Sequence, residues 1–149
     1  MTCKEVMIPN PRCCTIFSNA IEAAKIMYED NVGVVPVIDE ATQILIETVT
    51  ERDLCLEVVA KGENPKELLV GDCMSKNPIA CFPEDDIQDA EKLMKEHQIR
   101  HIPVVDHNGC CIGLMAQADT EIKIGQPQAI HELLYNFLFV PPFSQVGGS

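Results

Sequence analysis

Two apolar runs organise the chain, VGVVPVI ending at Ile38 and IRHIPVV ending at Val105. Both are rich in β-branched residues, and continuous apolar runs of this length read as buried strands. A polar turn follows each run, DEATQ in one place and DHNG in the other, both with turn chemistry. A second strand then returns, ILIETVT to Thr50 and CCIGLMA to Ala116. Ahead of each pair lies a helical stripe. Ala20, Ala23, Ala24 and Met27 make the first, with Ser18 or Asn19 as the cap. Ile87, Ala90, Leu93, Met94 and His97 make the second, with Asp85 or Asp86 as the cap. Asn19 and Glu22 also have the spacing of a capping box. A short extended piece precedes each helix, RCCTIF and IACF. A further helix is expected from Thr50 to about Lys61-Gly62, where Gly suits a left-handed terminus, and another near Ala116.

The two sets are copies. At an offset of 67 residues, Met7 falls on Met74, Asn10 on Asn77, Pro11 on Pro78 and Cys14 on Cys81. Ala23, Lys25, Met27, Glu29 and Pro36 then fall on Ala90, Lys92, Met94, Glu96 and Pro103. After Asp106 the offset drops to 66, and Asp53 falls on Asp119, Thr50 on Ala116 and Glu47 on Gly113. An internal repeat is therefore the first structural fact. The expected fold class is α/β (α+β): two βαββα repeats packed with pseudo-twofold symmetry. Residues 1–64 form the first repeat, 65–124 the second and 125–149 a C-terminal helix and tail. One copy of about sixty residues buries too little apolar area alone, so the two should share a seam. In the tail, Ile130, Leu133, Leu134, Phe137 and Leu138 recur at helical spacing, before Pro141-Pro142.

Composition narrows the function. A net charge of −12 repels phosphate backbones over most of the surface, so nucleic acid is not an expected partner. The stretch MTCKEVMIPNP lacks the apolar run of a signal peptide, and no stretch reaches the length of a membrane span. Eight Cys without such a signal read as reduced thiols of a cytoplasmic protein. There is no Cys-x-x-Cys, so no metal site is expected. No Ser-His-Asp order or Gly-rich phosphate loop is visible, so no catalytic residues and no enzyme activity are expected.

VMIPNP with CMSKNP, VGVVPVID with IRHIPVVD, and TVTERDL with GLMAQAD recur in the order and spacing of a known family. From Cys3 to Ile124 the chain resembles a tandem pair of cystathionine-β-synthase-type (CBS) domains, a Bateman module. The resemblance implies a non-catalytic regulatory module. Its ligand would be an adenosine-containing molecule such as AMP, ATP or S-adenosylmethionine, held in clefts between the halves, with no cofactor required. It also implies pairing into a homodimer, and output would pass through self-association or a separate effector protein.

On the family pattern Asp53 holds the ribose, helped by Thr50. Locally the two also form a helix cap, a reading that does not exclude binding. They would face Ile79, Ala80, Cys81, Arg100, His101 and Ile102 of the other half. The strand backbone there would read the adenine edge, Ile79 and Ile102 would cover its faces, and Arg100 and His101 would approach phosphates. Arg52 and Lys76 are further cations nearby. A weaker mirror cleft would combine Asp119 with Cys13, Cys14, Thr15, Gly33 and Val34, which bring no cation. Two departures stand out. Glu47 replaces the family's usual Gly, and a charge there must reach solvent or find a partner. Ala116 replaces the hydroxyl of Thr50. Both suggest an alternative, a ligand-free dimerisation module acting through self-association. A third reading is a thiol sensor built on the vicinal pairs Cys13-Cys14 and Cys110-Cys111.

Overall fold

The computed structural model describes residues 1–75 and 78–117. Lys76, Asn77, Asp119 and the tail from Gly125 onward lie outside the described residues.

The first half is built on α2 (Ala20–Asp30), β2 (Val34–Ile38), β3 (Leu45–Thr50) and α3 (Glu51–Leu54), which continues as a π-helix over Cys55–Val59. The second half is built on α5 (Ile87–Glu96), β4 (His101–Val105) and β5 (Cys111–Ala116). Two short leader helices precede them, α1 (Cys3–Val6) and α4 (Val70–Cys73), and β1 (Ile8–Pro9) follows α1.

Local chemistry sets the boundaries. Asn19 caps α2 by accepting from the Glu22 N–H at 2.9 Å, and Asp86 caps α5 by accepting from the Gln88 N–H at 2.8 Å. Asp85 instead accepts from the Phe82 N–H. Gly62, at φ +65°, ends the helical segment after Val59 in the left-handed conformation expected of it. The apolar runs form antiparallel hairpins, β2 with β3 and β4 with β5, each with a register shift near its turn. The extended pieces dock as single parallel bridges, Cys14 to Val37 and Cys81 to Val104.

Packing does not follow chain order. The leader α1 is buried in the second half, where Cys3 and Val6 join Cys81, Ile87, Met94, Ile102 and Met115 in one core. Its backbone is tied there by Cys3 N–H to Asp85 O and Lys4 N–H to Pro83 O, at 2.8 and 2.9 Å. β1 then extends the β4–β5 sheet by pairing with β5. The leader α4 does the converse: Val70 and Cys73 join Ala23, Val35, Val37 and Val49 in the first-half core. The Val70 N–H donates to Ser18 O at 2.7 Å. Each half thus completes its core with the segment that opens the other repeat. A fully buried aliphatic side chain contributes about 1.5–3 kcal/mol, so losing either leader would strip its host core of one such group and of a buried thiol. The turns close the seam, where Ile44 bridges Cys110 and the Leu45 N–H donates to Gly109 O at 2.9 Å. Among the described residues, no helix is long and apolar enough to cross a membrane.

Candidate functional site

The leading ends of β2 and β4 lie at the seam, beside the start of α3. Between them is a cavity of about 480 Å3. Gly33, Val34, Thr48, Thr50, Glu51 and Arg52 line it from the first half. Ser75, Ile79, Arg100, His101 and Pro103 line it from the second repeat. Volumes of 300–1,000 Å3 suit small organic ligands.

Thr50 and Asp53 form a reciprocal cap. Thr50 Oγ1 accepts from the Asp53 N–H at 3.1 Å, and Asp53 Oδ2 accepts from the Thr50 N–H at 2.9 Å. Ser75 Oγ also donates to Asp53 Oδ2, at 2.9 Å. The carboxylate is half-buried directly behind two lining residues, while Oδ1 accepts no hydrogen bond from a described residue.

The remaining residues of the favoured cleft divide. Ile79, Arg100 and His101 line the cavity with Thr50. Ile102 does not: it is fully buried in the second-half core, because neighbouring residues of β4 face opposite sides. Cys81 is buried as well, and both its backbone groups are used. Its N–H donates to Pro103 O and its carbonyl accepts from the Val105 N–H, at 3.0 and 2.9 Å. Adjacent Ala80 is half-buried and outside the lining.

The mirror set also divides. Gly33 and Val34 line the cavity that holds Thr50 and Arg100, so the sets share a wall. Thr15 lines a separate groove of about 210 Å3 with Phe17 and Asp39. Cys14 is a core residue whose thiol burial pushes up to about 12. Cys13 donates to Pro11 O at 3.3 Å, and its pKa is lowered by the neighbouring Cys111 thiol.

Glu51 was not legible in advance, whereas Arg52 and Glu47 were singled out from the sequence and now have definite places. Glu51 folds its carboxylate over Gly33, into the space a Cβ there would need, while His101 Cε1 lies 3.5 Å from that same point. Arg52 lines the cavity with Arg100, and neither guanidinium has an ion-pair partner among the described residues. Glu47 is only 8% exposed and its Oε2 has no hydrogen-bond partner among the described residues. One oxygen is therefore buried without a partner among the described residues, and only the edge of the residue reaches solvent. Burial first, then the nearby Asp53 charge, raises its carboxyl above the ordinary glutamate range. Among the described residues, no group of three or more His, Cys, Asp or Glu is placed to hold a metal ion.

The family model of the CBS domain matches this chain twice, over residues 3–60 and 70–119. The chain belongs to the CBS-domain family. It is 38% identical over 100 residues to MK0525 of Methanopyrus kandleri, a match covering 67% of this chain and 50% of that protein. The chain thus spans half the length of that relative. YlbB of Bacillus subtilis is 36% identical over 120 residues, 80% of each chain. Among solved structures, CBSX2 in complex with AMP superposes with a TM-score of 0.68 at 26% identity, covering 84% of this chain and 98% of that one. The CBS pair accounts for the duplicated unit and the seam between its halves.

Proposed function

We propose that this CBS pair is a non-catalytic sensor that binds an adenosine-containing ligand in the seam cavity. One observation carries the reading. A ligand-sized cavity is walled by both repeats, with the Asp53 carboxylate behind Thr50 and Ser75 and one of its oxygens accepting no hydrogen bond from the described residues. A carboxylate is suited to accept from both ribose hydroxyls. Ile79 offers an apolar surface for the base, and the two guanidiniums give this otherwise acidic protein a local anion-binding edge. CBSX2, a relative solved with AMP, supports the ligand class.

Because the wall is shared, an occupied cavity holds the halves together more rigidly than an empty one, and that difference is the signal. Output passes through self-association as a homodimer or through a separate effector protein. Tyr28 and Val59, at 88% and 75% exposed, offer apolar surface for such contacts.

A thermal-shift series with AMP, ATP, S-adenosylmethionine and 5′-methylthioadenosine tests the reading. A ligand at a hundred times its Kd adds about 2.7 kcal/mol, which raises the melting point by about 5 °C or more for a chain of this size. Stabilisation by at least one of the four is expected. If none shifts the melting point while the chain still self-associates, the dimerisation module replaces the sensor.

A further inference from the structure

The charges around the cavity are mixed. Arg52 and Arg100 bring two guanidiniums, whereas Glu51 in the lining and Asp53 behind it bring two carboxylates. Glu51 is placed to matter most. Its carboxylate sits over Gly33 beside His101, at the end of the cavity from which Arg100 also rises. Among the described residues it has no ion-pair partner. Gly33 makes the arrangement feasible, since any side chain there would evict the carboxylate.

We propose that Glu51 is the charge filter of the cleft. With Arg52 and Arg100 it makes the lining amphoteric, so the cleft takes an adenosyl ligand with a zwitterionic sulfonium amino-acid tail in preference to one carrying a polyphosphate. The inference rests on the adenosine reading above and narrows it. In a sulfonium amino acid, a carboxylate suits the guanidiniums while the sulfonium and ammonium suit Glu51. A triphosphate instead brings about four negative charges to an end that already holds a fixed one. Phosphate entry therefore requires the carboxylate to swing out, and the free energy of that displacement is subtracted from affinity.

Isothermal titration on the full chain tests this, with S-adenosylmethionine, 5′-methylthioadenosine and ATP as probes. The wild type should bind S-adenosylmethionine about 10-fold more tightly than ATP. Glu51→Gln should shrink that gap to about 3-fold or less, chiefly by strengthening ATP. Arg100→Ala should weaken S-adenosylmethionine about 10-fold and leave 5′-methylthioadenosine unchanged, because the thioether has no carboxylate to hold. Both changes are at exposed side chains, and circular dichroism verifies the fold. ATP binding at least as tightly as S-adenosylmethionine in the wild type overturns the filter alone, as does an equal change for all three probes in Glu51→Gln. Absence of binding by every probe, in wild type and variants alike, overturns the adenosine reading and the filter with it.

Discussion

The two halves share one plan and differ most where their central hairpins meet the leaders. In the second half, Gly113 of β5 lies opposite Pro9 of β1, and the side chain of Met7 fills the space a Cβ at Gly113 would need. In the first half, the equivalent position of β3 is Glu47, buried with one unsatisfied oxygen. There the Ser75 N–H donates to Thr48 O at 3.0 Å, in the place where β1 joins β5 in the other half. The strand fronts differ too. β2 begins behind Gly33, which yields room to Glu51, whereas β4 begins at His101, directly behind Arg100. One half is thus closed tightly by an apolar leader. The other carries Ser75 in the cavity wall, with Asp53 behind it and Glu47 close to Asp53. Among the described residues, the two copies share the seam but differ in the polar groups they bring to it.

The comparison can be broken by making the second half resemble the first. Gly113→Glu forces a side chain into the volume of Met7 and displaces α1 from the second-half core. Overpacking of this kind costs about 1–3 kcal/mol, and a buried charge adds to it. Denaturant titration should show a loss of about 3 kcal/mol. A loss near zero would mean that the leader is not packed as described.

The reverse change sharpens the comparison with a smaller effect. Glu47→Gln keeps the shape and removes the charge, and should stabilise the chain by about 1 kcal/mol near neutral pH. The sign follows from linkage. The folded-state pKa of Glu47 is raised, so its contribution is most favourable below the unfolded glutamate value, about 4.3, and is lost as pH rises through the folded value. The stabilising effect of the variant should therefore grow between about pH 4 and pH 7. Melting curves that stay parallel across that range would show that folding does not raise the Glu47 pKa.

Much of this was legible because the signals were local or periodic. The hairpins, the caps at Asn19 and Asp86, the left-handed Gly62 and the CBS resemblance all follow from short stretches of sequence. Exchange of the leaders was not legible. Cys3-to-Val6 and Val70-to-Cys73 are too short to carry a periodicity, and nothing in them marks which core they enter. The site was only partly legible for a related reason. The family pattern brought Thr50, Ile79, Arg100 and His101 to one cavity, but it treated β4 as a single surface, whereas pleating sends Ile102 to the core. Glu51 escaped notice because its role depends on the missing side chain at Gly33, eighteen positions earlier in the chain.

The most direct test is the affinity of 5′-methylthioadenosine for the wild type and for Asp53→Asn. Asparagine keeps one oxygen for the Thr50 and Ser75 hydrogen bonds but cannot accept from both ribose hydroxyls with a full carboxylate. A fall in affinity of about 30-fold or more, with an unchanged circular dichroism spectrum, is predicted. Equal affinity in the two proteins would contradict the assignment of the seam cavity as the adenosine site.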